Sequence, residues 1–271
     1  MKIKKFLSFV LAVGMASTSF PALNALATKG PELGVYLSHT VLSPGQYMRD
    51  TQEVMEGEQT IGENGCVAHF SDTGILSLYG TMTLGEARTG NQWGVIGGTV
   101  GASDLTIRLL DGADYTLNST GYSGIYGNYE PVRVEGNGKI TINTSGASEA
   151  GIMVYGKDGS ENSVPTGVTI TDNAEVTITG TKGVVLSGGA DGDITVTDGA
   201  VLTVDTDSAA FTKAPVIEEG SEVTVGADAE SAAAWDGSTA LTSYNYVRIE
   251  APDGTPGPDV TEEATEEART E

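Results

Sequence analysis

The feature that most constrains this chain is a triplet: an apolar residue, a threonine and a second apolar residue, recurring between short polar turns. From Val168 to Val204 the chain reads VTITDNAEVTITG, then GVVLSGG, then DITVTDGAVLTVD. Two triplets, a glycine-bounded gap and a third apolar run make one cycle, and the cycle then restarts. Aligning the second triplet of each cycle puts a threonine at its centre in Met82-Thr83-Leu84, Tyr115-Thr116-Leu117, Ile140-Thr141-Ile142, Val176-Thr177-Ile178, Leu202-Thr203-Val204 and Val223-Thr224-Val225. The spacings between those threonines are 33, 25, 36, 26 and 21 residues, the range of a solenoid repeat.

An apolar-Thr-apolar triplet has period two, so it predicts a strand with both apolar residues on one face and the threonine on the other. No cycle carries a helical 3.6-residue period. The turns before the triplets, such as Asp111-Gly112-Ala113, Asp172-Asn173-Ala174, Asp198-Gly199-Ala200 and Glu219-Gly220-Ser221, hold residues that tolerate positive φ. Short strands joined by bends cannot pair within a cycle, but each can pair with its equivalent in the next. The expected fold is therefore all-β: a single-stranded right-handed parallel β-helix of about six coils, with three short strands per coil. The third strands are expected at Gly94–Gly97, Gly124–Gly127, Gly151–Gly156, Gly183–Gly188, Ser208–Thr212 and Ala232–Trp235, and a final strand at Tyr244–Ile249.

Four segments follow. Residues 1–27 read as a secretory signal peptide: MKIKK, the apolar FLSFVLAVGMA, then Ala25-Leu26-Ala27 before Thr28. That run is too short to span a membrane. Residues 28–74 are a cap or an irregular segment, in which Ser43-Pro44-Gly45-Gln46 has the order of a helix start and suggests a short helix over 46–55. Residues 75–250 are the β-helix. Residues 251–271 are rich in Pro, Gly and acids, and are expected to be a disordered acidic tail. The protein is expected to be secreted, extracellular or at the cell surface.

The formal charge is −23, and loss of Lys2, Lys4 and Lys5 with the signal takes it to −26. Nucleic acid and anionic membrane are poor partners for such a chain. Cys66 is the single cysteine, so no internal disulfide forms, and a buried hydrophobic role is expected for it.

With its repeats behind a Gram-positive-type signal, the VTIT…VTITG…GVVLSG cycle resembles the pectate-lyase-like right-handed parallel β-helix superfamily. The resemblance covers roughly residues 75–250 and is greatest to the repetitive secreted and cell-surface members. It implies one of several activities: pectate lyase, polygalacturonase, non-catalytic polysaccharide binder or adhesin passenger. The polygalacturonase pattern needs paired Asp, Gly-His-Gly and Arg-x-Lys. Here the two histidines, His39 and His69, precede the coils, and Asp191-Gly192-Asp193 reads as a turn. Lyase chemistry needs Ca²⁺ and a basic side chain, and Arg88, Arg108, Arg133, Lys139, Lys157, Lys182 and Lys213 are scattered over different coils. The threonine column reads as cross-strand packing; an ice-binding face is disfavoured by the unequal coils and by Arg133.

Two corners carry candidate ligand-binding residues. Coil register stacks the segments after the third strands, bringing Tyr126, Tyr129 and Tyr155 near Glu130, Asp158, Glu161, Asp191 and Asp193. Tyrosine rings stack on sugar faces, and those acids are the candidate ligands of a Ca²⁺ ion. Trp93 and Tyr122, with Arg88 and Gln92, form a second aromatic platform. The functional expectation is extracellular binding or scaffolding, with polysaccharide as the partner. The alternatives are a lyase or hydrolase of the same superfamily, and a pure adhesin or surface spacer.

Overall fold

The computed structural model describes residues 34–85, 93–99, 104–146, 149–156 and 166–254, and their regular structure is almost entirely strand, with one three-residue 3₁₀ turn at Leu241–Ser243. The signal segment, Arg88, Gln92, Lys157, Asp158, Glu161 and the chain beyond 254 lie outside those residues. Among the described residues no helix is long and apolar enough to cross a membrane.

The strands form three sheets, each built mainly of equivalent strands from successive coils. The first sheet stacks Ile75–Leu78, Leu105–Leu109, Val132–Gly136, Val168–Ile170, Ile194–Val196 and Val216–Ile217, all parallel. The second stacks Thr81–Gly85, Asp114–Ser119, Lys139–Thr144, Glu175–Gly180 and Val201–Thr206, also parallel. The third, rich in glycine, stacks Gly94–Thr99, Ser123–Asn128, Ile152–Tyr155 and Val184–Ser187, and Phe211 extends it through a single parallel bridge to Val184. The chain is a parallel β-helix with five turns and the first strand of a sixth.

The register explains why the triplets repeat. Thr83, Thr116, Thr141, Thr177 and Thr203 pair in one unbroken column. Their flanking residues, Met82 and Leu84 through Leu202 and Val204, are buried, as are the inward apolar positions of the first sheet from Leu76 to Val196. Each strand alone would leave its apolar face wet. Stacking removes it from water, at roughly 1.5–3 kcal/mol for each fully buried Val, Ile or Leu. At the bend between the first and second sheets, Asn137 Nδ2 donates to Asp111 Oδ1 at 2.9 Å and Asn173 Nδ2 to Asn137 Oδ1 at 3.1 Å. Gly199 follows in that stack at φ 74°, where a Cβ would collide with Asn173 Oδ1.

The two ends depart from the expected pattern. At the start, residues 43–46 make a turn, not a helix. Gln46 N donates to Ser43 O at 3.0 Å, and Gly45 sits at φ 78°. Proline followed by a positive-φ glycine is a type II turn. The Ser43 N–H still donates to Gln46 Oε1 at 2.8 Å, the bond a capping box would make, but here it spans the turn that carries the chain from Thr40–Leu42 in one sheet to Gln46–Arg49 in another. Segment 28–74 is thus strand-rich where described. Gly34–Leu37 pairs antiparallel with Gly94–Thr99 and Thr40–Leu42 pairs with it in turn. Cys66–Phe70 pairs antiparallel with Ile75–Leu78, and Gln46–Arg49 lies outside it, with Val54–Met55 beyond.

At the other end, Tyr246–Glu250 inserts antiparallel between Val201–Thr206 and Glu222–Gly226. Val223-Thr224-Val225 therefore belongs to the second sheet but not to the parallel stack, and Arg248 separates Thr203 from Thr224. Ala232–Trp235 is no third strand: Ala233–Ala234 pairs antiparallel with Glu222–Gly226. Residues 251–254 sit on the last full coil, with Ala251 N donating to Ala200 O at 3.0 Å and Gly199 N to Pro252 O at 2.8 Å. These four residues, expected in the tail, are therefore paired to that coil, and the rest of the expected tail lies outside the described residues.

Candidate aromatic binding face

The glycine-rich sheet has one face in the core and one facing out. Ile96, Ile125, Ile152 and Val184 point inward in register. The neighbouring column runs Tyr36, Gly97, Tyr126, Met153 and Val185. Gly97 is there because there is no room for a side chain. A Cβ would strike the Tyr36 phenol and approach Tyr126 O at 2.8 Å. The Tyr36 ring therefore lies over Gly97, and its hydroxyl accepts the Trp93 N–H at 3.2 Å. Burial pushes the Tyr36 phenol up to about 12, against the opposing pull of backbone bonds at Trp93 and Gly94.

Aromatic pairs flank this column, with Tyr122 half-buried and the other three rings exposed. Trp93 is 55% exposed and meets Tyr122 edge to face, with ring centroids 5.9 Å apart. At the opposite rim of the same sheet, Tyr129 at 51% and Tyr155 at 38% meet edge to face at 5.7 Å. Tyr129 reaches that place through a left-handed backbone, φ 64°, and its N–H donates to Tyr155 O at 2.8 Å. The Tyr155 ring covers Gly188 on the next coil, where a Cβ would collide with it. Tyr122 and Tyr129 bracket one strand, so the pairs lie about 20 Å apart along it. The two corners seen in the sequence are the two rims of one sheet.

The candidate residues divide accordingly. Tyr129, Tyr155, Trp93 and Tyr122 stand at the rims. Tyr126 lies between them and is only 9% exposed; burial raises its phenol, with the Tyr129 and Tyr155 phenols adding to the effect. Glu130 is buried at 2%. Asp191 and Asp193 are exposed, and Lys213 holds their turn. Its Nζ lies 2.9 Å from Asp193 Oδ1 and donates to the carbonyls of Asp191 and Gly192 at 2.9 Å each. An ammonium thus occupies the oxygen cradle that a hard cation would use. Among the described residues, no three or more His, Cys, Asp or Glu side chains are grouped to hold a metal ion. Asp158 and Glu161 are outside those residues.

Three features escaped the sequence. Tyr36 enters the face through an antiparallel pairing that no local pattern announces. Glu149 falls in register with Tyr122, because Ile125 pairs with Ile152; counting back three residues from each would have found it. On the first sheet, Glu135 lies between two guanidinium groups, with Arg108 Nη2 at 2.7 Å from Oε1 and Arg133 Nε at 2.7 Å from Oε2. Burial alone would raise the Glu135 carboxyl; the bonds from Arg133 and Arg108 outweigh it and hold the group below its ordinary value.

The fold and face define the class, a parallel β-helix with an aromatic outer wall. No protein-family model, curated protein or solved structure matches the chain.

Proposed function

We propose that this is a secreted, non-catalytic β-helix protein that binds polysaccharide at the cell exterior through the outer face of its glycine-rich sheet. The observation that carries the reading is the two aromatic pairs on the rims of that face, Trp93–Tyr122, in which Trp93 is exposed, and Tyr129–Tyr155, in which both rings are. Aromatic rings desolvate the apolar faces of sugars, whereas hydroxyl bonds alone gain little over water. A wall about 20 Å wide suits a chain of several sugars better than a single one.

A lyase or hydrolase is the competing reading, and it requires a basic or acidic group free to move a proton. Arg108, Arg133, Lys139, Lys213 and Arg248 each lie 2.6–2.9 Å from a carboxylate. Among the described residues Arg49 and Lys182 stand outside these ion pairs, and the commitment of the other five favours binding over catalysis. The deciding experiment is a polysaccharide pull-down panel with and without Ca²⁺, with ultraviolet absorbance and reducing ends read on the same samples. Retention without new product is expected. Product formation would establish the enzyme, and absence of retention on every polysaccharide would leave only the scaffold.

A further inference from the structure

The two ends of the second sheet complement one another. At the start of the β-helix the first sheet carries three cap strands, Cys66–Phe70, Gln46–Arg49 and Val54–Met55, and the third carries two, Gly34–Leu37 and Thr40–Leu42. Among the described residues the second sheet carries none there and ends on Thr81–Gly85. At the other end the same sheet projects. Tyr246–Glu250, Glu222–Gly226 and Ala233–Ala234 extend it beyond Val201–Thr206, while the first sheet gains only Val216–Ile217 and the third stops at the bridge to Phe211. Both edges present backbone groups to an incoming strand. Asp114 N donates to Gly80 O at 2.9 Å, so alternate residues bond the next coil, and the N–H and C=O of Thr81 and Thr83 point to the open side. Trp235 N donates to Val223 O at 2.9 Å, so the N–H and C=O of Ala234 likewise point away from the sheet. In a chain of formal charge −23, neither Thr81–Gly85 nor residues 232–235 hold a charged residue or a proline. The first sheet's edges are guarded by such residues: Glu53 and Glu56 flank Val54–Met55, and Pro215 and Glu218 flank Val216–Ile217. An unguarded edge is a template for strand addition.

We propose that copies of this chain associate head to tail through the second sheet, with Ala233–Ala234 of one molecule pairing antiparallel with Thr81–Gly85 of the next. The topology fixes the direction. Ala233–Ala234 runs against Glu222–Gly226, which runs against Tyr246–Glu250, which runs against Val201–Thr206. Thr81–Gly85 shares the direction of Val201–Thr206 through the parallel stack. A second copy stacked on the same axis therefore presents its first strand antiparallel to the last strand of the copy before it. The projecting strands enter the gap between the two caps, where the first and third sheets are already closed. The contact joins two different surfaces, so it does not close as a two-fold dimer does; it propagates along the rod axis. The pairing is short and both copies are acidic, so association is weak at low salt and strengthens as salt screens the repulsion. Neither aromatic pair lies on the second sheet, and the contact leaves the glycine-rich face free.

The test is sedimentation velocity of the full mature chain from micromolar to submillimolar concentration, at low salt and at about 0.5 M NaCl. The mean mass is expected to rise with concentration and with salt, and to pass that of a dimer. Thr83→Pro blocks the recessed edge and Ala234→Pro the projecting one. Each removes an N–H that faces away from its own sheet, so each variant should melt close to the parent. Alone, each should stay monomeric. Mixed in equal amounts they should form a dimer and stop there, because the mixture keeps one intact edge of each kind. Should a proline variant melt early, Thr83→Lys or Ala234→Lys takes its place and carries the same expectations. A parent chain that stays monomeric throughout overturns the proposal. So does a parent dimer that neither variant disturbs, which would place the contact elsewhere. A mixture of the two variants that remains monomeric overturns it as well, since the two edges would then not meet each other.

Discussion

The hydroxyl of Tyr115 donates to the carbonyl of Val67 at 2.9 Å, with the Tyr79 carbonyl at 3.3 Å, across 48 residues of sequence. Tyr115 is the inward residue of a repeat triplet and is fully buried, so burial drives its phenol far above the ordinary value. Val67 belongs to Cys66–Phe70, the antiparallel strand that begins the cap on the first sheet. The bond therefore fastens the second coil to the cap. Val67 O also accepts the Tyr79 N–H at 2.8 Å, so removing the phenol does not orphan it. Tyr115→Phe should accordingly cost about 1 kcal/mol, a shift of roughly 2–4 °C. Hydrogen exchange should show the loss concentrated in residues 66–70. Unchanged protection there would mean that the cap holds without this tie.

The faces of the second sheet make a sharper contrast. Val176 is fully buried, while Thr177 beside it stands in the outward column. Val176→Asp places an unpaired carboxylate in the core at a cost of several kcal/mol, a large share of a typical domain stability of about 5–15. Thr177→Asp should stay within about 1 kcal/mol. Thermal melts decide it: equal losses would reverse the assignment of the faces.

The Glu135 triad predicts a pH dependence with a definite sign. The carboxyl is depressed in the folded state, so its contribution is complete above the unfolded value near 4.5 and is lost as pH falls through the folded value. Both guanidinium groups are more than a third exposed, and solvent screens them. Glu135→Gln should therefore cost only about 1–2 kcal/mol at pH 7. The gap between variant and parent melts should narrow steadily below pH 5. A gap that is constant from pH 7 to pH 3 would assign the loss to packing rather than to charge.

The stacked coils were legible because one pattern, apolar-Thr-apolar after a positive-φ turn, repeats along the chain and can bury itself only by stacking. The ends were not, because closure replaces parallel neighbours by antiparallel ones of the same composition. Val223-Thr224-Val225 carries the repeat chemistry, yet what lies beside it is decided by Tyr246–Glu250, about twenty residues later. Ser43-Pro44-Gly45-Gln46 satisfies both a helix start and a type II turn locally. The pairing of Gln46–Arg49 with Cys66–Phe70 selects the turn. For the binding face, counting coils was enough to bring Tyr129 to Tyr155 and Trp93 to Tyr122. It could not reveal that Tyr126 is shielded beneath them, or that Lys213 reaches back to Asp193, since burial and side-chain direction depend on neighbours from several coils.

Shielding of Tyr126 changes how the aromatic face must be tested. Replacing Tyr126 together with Tyr129 and Tyr155 would remove a ring that is only 9% exposed, and any loss of binding would be mixed with loss of packing. The informative variant is Tyr129→Ala with Tyr155→Ala. Both rings are largely or partly open, so the melt should fall by no more than about 1 kcal/mol, mostly from the lost edge-to-face contact. Polysaccharide retention should drop by tenfold or more, and Trp93→Ala should produce a separate loss at the other rim. If one chain spans both rims, the combined variant should lose more than either alone, because binding at one rim raises the effective concentration at the other. A neutral polysaccharide should behave the same in Ca²⁺ and in chelator. An acidic one meets a chain of formal charge −23, and should be retained only where a cation bridges the two. Full retention by the double variant, with loss in Trp93→Ala alone, confines the site to the Trp93 rim. Retention unchanged in both removes the aromatic face from the binding site.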